Sequence, residues 1–546
     1  MQLNKAPATA RAARQASIVK PAAVPTSRAV VSRPVVREHV ACTRTSARRV
    51  ATAAAAAPAA PATKLVAPGK NVQQANVVYK FGGSSVRDAE RMREVADIIC
   101  SFPDLLPVVV LSAMGKSTNM LLECGDLALK AGMDGMDNIP NLPPLLALRK
   151  LHMDTCDELR VEPTVKAEVE KMLSELQQLL IGICIMQDLT PRAKDSLVSF
   201  GERLATRIFA SYLRVQGIPA RQYDAWELGM TTTDDFTNAD VIYEETLPKI
   251  KANLTARAAA KEVAVVTGFL GKGLSTGAIT TLGRGGSDLT ATVLGAALEL
   301  KEVQVWKDVD GVLTSDPRIV SNTRPVNELT FEEATELAYF GAQVLHPQAM
   351  QPAIRSGKMG VRVKNSYNRT APGTVISAAR DMSSTLVTSI VLKNSVTLVD
   401  IISTRMMGQY GFLATVFEAF RKYKLSVDVV ATSEVSVSLT LDPKKITDMD
   451  SELQHLKEEL GRLANVSYRN DLAIVSLICN VQRTSNILEN VFDVLDSCGI
   501  NVVMMSQGAS KTNISLVIEG RDGQRAVQAL HKKFFEELPH SHGPKH

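Results

Sequence analysis

Two glycine-rich turns about two hundred residues apart constrain this chain more than any other feature of its sequence. The first, Val77–Ser85, reads Val-Val-Tyr-Lys-Phe-Gly-Gly-Ser-Ser, and the second, Thr280–Asp288, reads Thr-Thr-Leu-Gly-Arg-Gly-Gly-Ser-Asp. Each follows apolar or β-branched residues and precedes a helix-compatible stretch. Glycine lets the backbone approach a ligand closely, and the N–H groups at a helix start favour an anion. Two such turns in one domain predict that a polyphosphate is held from two sides.

From Asn76 onward, short apolar runs alternate with longer helical stretches. Continuous apolar runs are typical of an α/β sheet that is buried on both faces. The predicted strands are Val77–Phe81, Leu106–Ser112, Val263–Phe269 and Val303–Lys307, and the predicted helices cover Asp88–Cys100 and residues 145–187. Ligands of such sheets lie at the carboxyl ends of the strands, which is where both glycine-rich turns fall.

Beyond Ala371-Pro372-Gly373-Thr374 the pattern changes to short strands and single helices, which indicates a second part of the chain, built from a tandem repeat. Residues 416–418 and 425–427 match residues 491–493 and 500–502 at an offset of 75. The order strand, helix, strand, strand occurs twice, which favours a true repeat over a coincidence between amphipathic segments. The predicted elements are Val396–Ser403, Phe412–Tyr423, Ser426–Thr432 and Val435–Leu441, then Ala473–Asn480, Ser485–Ser497, Asn501–Ser506 and Asn513–Glu519.

The N-terminal 70 residues differ from the rest in charge. They contain twelve Lys or Arg and one acid, which gives them a net charge of +11. Because the net charge of the whole chain is +5, the remaining residues carry −6. Few acids, many Arg, Ala and Ser, and no continuous apolar core are typical of an organellar transit peptide. A disordered basic tail is the alternative, and composition does not separate chloroplast from mitochondrion. The mildly acidic remainder gives no reason to expect nucleic acid as a partner.

Cysteine usage and hydropathy exclude two further classes. The seven cysteines form no CxxC pair, which indicates a reduced compartment without structural disulfides or a zinc site. No apolar run reaches the roughly 18 residues needed to span a membrane, so no membrane partner is expected.

Several polar residues could carry chemistry. Lys80 precedes Gly82-Gly83 and could place a point charge against phosphate, although a surface lysine is the commoner fate, and the spacing does not fit a P-loop. Arg284, flanked by glycines, favours an anion site at the second turn over a mere helix cap by Asp288. Glu202 could bind a substrate ammonium or cap a helix start.

The acids that follow the strand at residues 303–307 suggest a further loop of interest. Asp308, Asp310 and Asp316 lack the spacing and the distal glutamate of a calcium loop. A nucleotide-facing loop is therefore the better interpretation.

Five motifs in order make the chain resemble the aspartate kinase family, in the monofunctional plastid form of plants and algae, over residues 76–540. They are Lys-Phe-Gly-Gly-Ser-Ser-Val, Ser-Phe-Gly-Glu-Arg-Leu, Thr-Thr-Leu-Gly-Arg-Gly-Gly-Ser-Asp, Lys-Asp-Val-Asp-Gly-Val and Val-Leu-His-Pro. The repeat resembles tandem ACT domains. The resemblance implies an α/β amino-acid-kinase αβα sandwich followed by two βαββαβ ACT domains of α+β type. It also implies Mg-ATP-dependent phosphorylation of the β-carboxylate of L-aspartate, the entry to lysine, threonine, methionine and isoleucine.

The expected boundaries follow from the motifs and the texture changes. Residues 1–72 are expected to be a disordered transit peptide and 73–378 the catalytic domain. Residues 385–470 are expected to form the first ACT domain and 471–546 the second, with a disordered tail. A strand at 385–393 is a candidate member of the second ACT domain.

The resemblance also implies roles for individual residues. Lys80 and Asp288 are expected to be catalytic, and the aspartate-binding residues are Thr118, Glu202, Arg284 and Ser287. The ATP-binding residues are Lys80, Gly82, Gly83, Ser84, Lys307, Asp308 and Arg318. Mg²⁺ is expected to be held mainly by the ATP phosphates. Leu313 and Gln343 stand where some family members have Tyr and Lys, so both are left out of the expected site.

Lysine is the expected effector, because the resemblance assigns lysine binding to the first repeat. The expected residues are Met406, Gly411, Phe412, Leu413, Asp428, Ser433 and Glu434. A carboxylate pair suits a lysine ammonium better than threonine, although two solvated acids are the alternative. In the second repeat, Val503 occupies the position that corresponds to Asp428, which favours one effector site per chain. S-adenosylmethionine is a second candidate effector by resemblance only, and pairing of ACT domains across chains implies a homodimer or larger assembly.

Two other interpretations compete with this one. Another carboxylate kinase of the same fold, such as a glutamate or acetylglutamate kinase, is disfavoured by the repeat and by the Phe-Gly-Glu-Arg motif. A catalytically inactive amino-acid sensor is disfavoured because Lys80, Glu202, Arg284 and Asp288 are all present.

Overall fold

The structure of the protein is a computed structural model that describes residues 65, 67–69, 72–256, 260–342, 344–403, 410–442, 448–508 and 510–538. The chain divides into two units, Met1–Ala62 and Thr63–His546, and all described residues belong to the second. Most of the predicted transit peptide, Gln343 and the expected effector residue Met406 lie outside the described residues.

The first part of this unit alternates strands with helices. Its strands are β1 (Val77–Phe81), β2 (Pro107–Leu111), β3 (Ala220–Tyr223), β4 (Thr231–Thr232), β5 (Val263–Thr267), β6 (Leu270–Gly273), β7 (Ile279–Thr281), β8 (Glu302–Lys307), β9 (Val312–Leu313), β10 (Pro325–Val326), β11 (Glu328–Thr330), β12 (Gly360–Asn365) and β13 (Thr374–Ser377). Its α-helices are α1 (Ala89–Cys100), α2 (Ser117–Ala131), α3 (Pro143–Leu159), α4 (Pro163–Met186), α5 (Pro191–Val215), α6 (Tyr243–Thr255), α7 (Gly286–Ala297), α8 (Phe331–Tyr339) and α9 (Pro347–Ser356).

Eight of these strands form one sheet in the order β11-β13-β12-β8-β1-β2-β5-β3. Neighbouring strands are parallel except β12 and β13, which are antiparallel. Strand β1 lies near the centre, between β2 and β8, and all five of its residues are buried. The predicted α/β sheet with two covered faces is confirmed.

The alternation of side chains along β1 decides which residue faces which layer. Tyr79 and Phe81 pack into the hydrophobic cluster that contains residues of α1 and α5. Val78 packs on the other side, into the cluster that contains residues of α7 and α9. Lys80 shares the face of Val78, so its side chain is directed toward the layer of α7.

The second part of the unit begins after β13 and combines β-strands with α-helices. Its strands are β14 (Val387–Ile402), β15 (Val427–Thr432), β16 (Ser436–Leu441), β17 (Asn465–Cys479), β18 (Val502–Ser506) and β19 (Asn513–Glu519). Its α-helices are α10 (Phe412–Lys422), α11 (Met449–Leu460), α12 (Thr484–Ser497) and α13 (Gly523–His531), and a short π-helix follows at Lys532–Glu537.

The six strands are hydrogen-bonded in the order β15-β16-β14-β17-β19-β18. The long strands β14 and β17 run antiparallel through both halves, with register shifts between Asn394 and Leu398. Helices α10 and α11 cover one hydrophobic cluster, and α12 and α13 cover another. The first residues of β14 pair with the last residues of β17, so the segment 387–393 lies beside the second repeat in the sheet.

Several predicted elements differ from the structure for physical reasons. The predicted helix over 145–187 is two helices, because Arg160 is left-handed (φ 52°) and Pro163 starts the next helix. The prediction missed α11 and α13, and it also missed the first half of β17, whose residues are mostly polar and exposed. No helix within the described residues combines the length and hydropathy that crossing a bilayer requires.

Candidate active site

Lys80 and Asp288 form an ion pair at the carboxyl end of β1. Lys80 Nζ lies 2.7 Å from Asp288 Oδ1, and the two side chains are 11% and 10% exposed. Asp288 lies in the first turn of α7, whose N-cap is Gly285 without a side-chain cap. Asp288 therefore does not cap this helix, and its carboxylate holds the ammonium that the first glycine-rich turn presents.

The side-chain ammonium of Lys307 is a second cation that acts on Asp288. Burial alone would raise the pKa of Asp288, but the charges of Lys80 and Lys307 outweigh it and hold that pKa below its usual value. Burial lowers the pKa of Lys307, and Asp288 partly offsets the effect. Lys307 ends β8 and donates a hydrogen bond from Nζ to the carbonyl of Val344. Two cations around one carboxylate leave a net positive charge, which suits a phosphate.

Glu202 supplies an unpaired carboxylate beside these cations. It lies on α5, is 3% exposed, and accepts a hydrogen bond at Oε1 from the backbone N–H of Ala113 at 3.2 Å. Among the described residues, none donates a hydrogen bond to Oε2. Burial raises the pKa of Glu202 to about 7, opposed by the Ala113 amide and the charge of Lys80. A buried carboxylate without a partner calls for a cation from a ligand.

The second glycine-rich turn depends on glycine for its shape. Gly285 has a left-handed conformation (φ 74°), and a Cβ added there would lie 2.4 Å from the Cβ of His346. No other residue type fits this turn without displacing His346. Arg284, between Gly283 and Gly285, is exposed to solvent.

One open cavity, with a volume of about 270 Å³, brings five of the twelve expected catalytic, aspartate-binding and ATP-binding residues together. Its lining consists of Lys80, Ser112, Thr118, Glu202, Phe269, Gly283, Gly285, Gly286, Ser287 and Asp288. Ser112 and Phe269 were not predicted. Ser112 Oγ donates to Ser287 Oγ at 3.1 Å, and its position as the last residue of a predicted apolar strand is a signal that could have identified it.

The first glycine-rich turn is shaped by the neighbouring backbone. A Cβ at Gly83 would lie 2.8 Å from the carbonyl oxygen of Ala113, whereas one at Gly82 would meet only Lys80 Nζ, at 3.6 Å. Gly83 is thus required for packing against the segment after β2, and Gly82 leaves space beside the ammonium. Ser84 is exposed in a short 3-10 helix, Gly83–Val86.

The other expected ATP-binding residues lie outside the lining of this cavity. Asp308 is exposed, directly after Lys307. Arg318 is 84% exposed and pairs with Asp316 at 2.6 Å. The following residues, Ile319 and Val320, pack against the cluster beneath α12 and α13.

The expected effector residues occupy two ends of the first repeat. Gly411 (φ 85°) is the N-cap of α10, followed by Phe412 and the exposed Leu413. Ser433 and Glu434 are exposed just beyond β15, whereas Asp428 is near the start of that strand. At about 3.3 Å per residue, Asp428 lies about 13 Å from Thr432 along β15, and Glu434 follows in the turn beyond that strand. The two carboxylates therefore lie toward different ends of the strand.

Comparisons with known proteins agree with this arrangement. Residues 76–365 match the model of the amino acid kinase family, and residues 475–534 match an ACT domain model. Aspartokinase 1, chloroplastic, from Arabidopsis thaliana is 57% identical over 463 residues, which cover 84% of this chain and 80% of that protein.

Two solved structures of Escherichia coli aspartokinase III are similar over the same region. The complex with aspartate and ADP (R-state) has a TM-score of 0.70 at 35% identity, covering 84% of this chain and 100% of that one. The complex with lysine and aspartate (T-state) has a TM-score of 0.70 at 34% identity, with the same coverage.

Proposed function

This chain belongs to the aspartokinases within the amino acid kinase family, and we propose that it transfers the terminal phosphoryl group of ATP to the side-chain carboxylate of L-aspartate. The carboxylate oxygen attacks phosphorus, the bond to the bridging oxygen breaks, and ADP leaves. The product, 4-phospho-L-aspartate, opens the synthesis of lysine, threonine, methionine and isoleucine. The observation that carries the proposal is the buried carboxylate of Glu202, whose Oε2 has no hydrogen-bond donor among the described residues, beside the Lys80–Asp288 pair.

We assign the acceptor amino acid to the Glu202 side of the cavity. Glu202 binds its ammonium, and Arg284, which is exposed beside the cavity-lining Gly283 and Gly285, binds its α-carboxylate in a bidentate contact. Thr118 and Ser287 supply hydroxyl groups to the same substrate. The β-carboxylate needs no general base, because its pKa of about 3.9 leaves it ionised at neutral pH.

We assign the nucleotide phosphates to the cationic side. Lys80 and Lys307 offset the repulsion between a carboxylate and a triphosphate and stabilise the charge that develops during transfer. Gly82, Gly83 and Ser84 border this side, and Asp308 and Arg318 extend it toward the nucleoside. We propose that Mg²⁺ enters as part of the Mg-ATP substrate and neutralises phosphate charge.

The activity is tested by trapping the product. With Mg-ATP and hydroxylamine, the protein is expected to form hydroxamate from L-aspartate and not from L-glutamate or N-acetyl-L-glutamate. Equal or greater activity with either of the latter would assign it to another carboxylate kinase of the fold. The absence of acyl phosphate from a folded, ATP-binding preparation would make it a sensor rather than an enzyme.

The raised pKa of Glu202 predicts a pH dependence of aspartate binding. The substrate ammonium binds only the ionised carboxylate, and below pH about 7 the free enzyme is increasingly protonated there. At saturating Mg-ATP, kcat/KM for aspartate is therefore expected to fall about tenfold per pH unit below 7. Aspartate itself stays ionised over this range.

Glu202→Gln is the matched variant for this measurement. It is expected to have a much lower kcat/KM for aspartate and to lose the pH dependence between pH 5.5 and 7. A wild-type profile that stays flat down to pH 5.5 would contradict the role of Glu202.

We further propose that L-lysine inhibits the enzyme through the first ACT domain, with S-adenosylmethionine as a second candidate effector. The N–H groups of Gly411, Phe412 and Leu413 at the start of α10 suit the effector carboxylate. The separation of Asp428 from Glu434 supports an effector site shared between two chains, and hence a homodimer or larger assembly. Ser433 belongs to the same end of the site as Glu434.

We place the enzyme in the plastid stroma. The support is the transit-peptide composition of residues 1–72 together with the chloroplastic Arabidopsis relatives. No comparison favours the mitochondrial alternative. The domain limits expected from the sequence, 73–378, 385–470 and 471–546, stay predictions.

A further inference from the structure

The expected effector residue Asp428 already holds an ammonium group, that of Lys393. Lys393 Nζ contacts Asp428 Oδ2 and lies 3.3 Å from Asp442 Oδ2. Tyr339 donates from its hydroxyl to Asp428 Oδ1 at 2.9 Å, and the Tyr339 ring centre is 5.5 Å from Lys393 Nζ. We name these four residues the Lys393 cluster. The Asp428 side chain is fully buried and that of Lys393 is 11% exposed.

The Lys393 cluster has the chemistry of an ammonium-binding site. Two carboxylates and an aromatic face surround one primary ammonium, which is the environment that proteins build for such ligands. Burial, followed by the charge of Asp428, raises the pKa of Tyr339, so its hydroxyl remains a hydrogen-bond donor. A free lysine that uses Asp428 must therefore replace the chain's own lysine there.

The cluster joins the regulatory part of the chain to the catalytic part. Lys393 lies on β14 and Asp428 on β15, whereas Tyr339 is the last residue of α8. Five residues after Tyr339, the carbonyl of Val344 accepts the hydrogen bond from Lys307 Nζ in the active site. Two residues further, His346 packs against Gly285 in the second glycine-rich turn.

A short chain segment thus connects Asp428 to the active-site cations. Val344, the acceptor of Lys307, and His346, at the wall of the glycine turn, follow Tyr339 by five and seven residues, so a displacement of Tyr339 has a short covalent path to both. A claim of coupling requires an element with two arrangements that both sites bias. The exchange of one ammonium for another at Asp428 supplies those two arrangements.

We propose that Lys393 is a resident competitor for the effector ammonium at Asp428, and that Tyr339 transmits the exchange to Val344 and hence to Lys307. The proposal rests on the proposed inhibition by lysine. An internal ligand lowers the apparent affinity of an external one in proportion to the fraction of sites that it leaves free. Removal of the Lys393 ammonium therefore makes inhibition by lysine more sensitive.

Lys393→Met tests the competition. We expect the lysine concentration for half-inhibition to fall about tenfold relative to wild type, with a larger rise of the melting temperature on adding lysine. Lys393→Arg keeps the cation and is expected to need at least the wild-type concentration. The matched control is Lys422→Met, which removes an exposed lysine of the same repeat, paired with Glu459, and is expected to leave half-inhibition unchanged.

Lys393→Gln keeps a hydrogen-bond donor toward Asp428 and replaces the Met variant if that variant does not fold. Unchanged or weaker inhibition by lysine in the folded Met or Gln variant would overturn the proposal. A wild-type enzyme that neither binds nor responds to lysine would instead refute the proposed regulation itself. The two failures are therefore distinguishable.

Tyr339→Phe tests transmission separately from binding. We expect lysine binding, measured by calorimetry, to stay within about threefold of wild type, while maximal inhibition and the effect of lysine on the KM for ATP are largely lost. Full inhibition in this variant would overturn the role of Tyr339.

Discussion

Lys80→Met is expected to lower kcat by about 10²–10³-fold, because it removes the ammonium that we propose neutralises the transferring phosphoryl group. Lys80 is 9% exposed and its only charged partner within 4 Å among the described residues is Asp288. In the presence of ATP the ammonium is the group placed to offset phosphate charge. The fold is expected to survive, because Lys307 still compensates the charge of Asp288.

The loss of kcat is measured as hydroxamate formed at saturating L-aspartate and Mg-ATP, with circular dichroism to check folding. Lys80→Met/Asp288→Asn removes the carboxylate left without its partner and is expected to recover thermal stability without recovering activity. Lys301→Met, the loss of an exposed lysine in the loop before β8, is expected to be neutral. A folded Lys80→Met enzyme within fivefold of the wild-type kcat would refute the assignment.

The parts of the fold that were predictable are those with a strong local pattern. Strands β1 and β19 match their predicted bounds because each is an apolar run ended by polar or glycine residues. Helix α11 and the first half of β17 were missed, since their exposed polar residues resemble a loop. The prediction divided β14 into two strands, 385–393 and Val396–Ser403, because this one strand crosses from one half of the regulatory sheet to the other.

For the candidate site, sequence motifs identified which residues meet but not how they are paired. Lys80, Glu202 and Asp288 were expected together, and they line one cavity. The pairing of Lys80 with Asp288 depends on which layer faces β1, which no local spacing specifies. The Lys393–Asp428 pair was equally invisible, because it requires the register of β14 and β15 within the regulatory sheet.

Helix α8 contacts the second part of the chain near both of its ends. Its C-terminal residue, Tyr339, contacts the first repeat. Near its N-terminus, Glu333 contacts Arg380, in the linker between β13 and β14, and Thr388 of β14. The contacts of Glu333 are buried, whereas Tyr339 is 40% exposed, so the Glu333 contacts should contribute most to holding the regulatory part on the catalytic part in one arrangement.

Arg380→Met is expected to lower the free energy of unfolding by about 3–5 kcal/mol, because it leaves a buried carboxylate without its cation. Arg380 donates from Nε and Nη2 to the two oxygens of Glu333, at 2.8 and 2.5 Å. The two side chains are 8% and 0% exposed. Thr388 of β14 and the backbone of Thr330 also donate to Glu333. Loss of the Arg380 cation therefore destabilises α8, the linker and β14 together.

The measurement is urea unfolding at pH 7, with Arg380→Met/Glu333→Gln as the compensating variant and Arg421→Met, which breaks an exposed pair with Glu418, as the neutral control. The double variant is expected to recover most of the loss, since no buried charge remains. Arg380 holds the pKa of Glu333 below its usual value against the effect of burial. The contribution of the pair is therefore fully present above the unfolded pKa, about 4.3, and is lost as the pH falls through the lower folded pKa. The difference in the free energy of unfolding between wild type and Arg380→Met should therefore shrink in acid. A difference that is small at pH 7, or that grows below pH 4, would show that the pair does not stabilise the contact between α8 and β14.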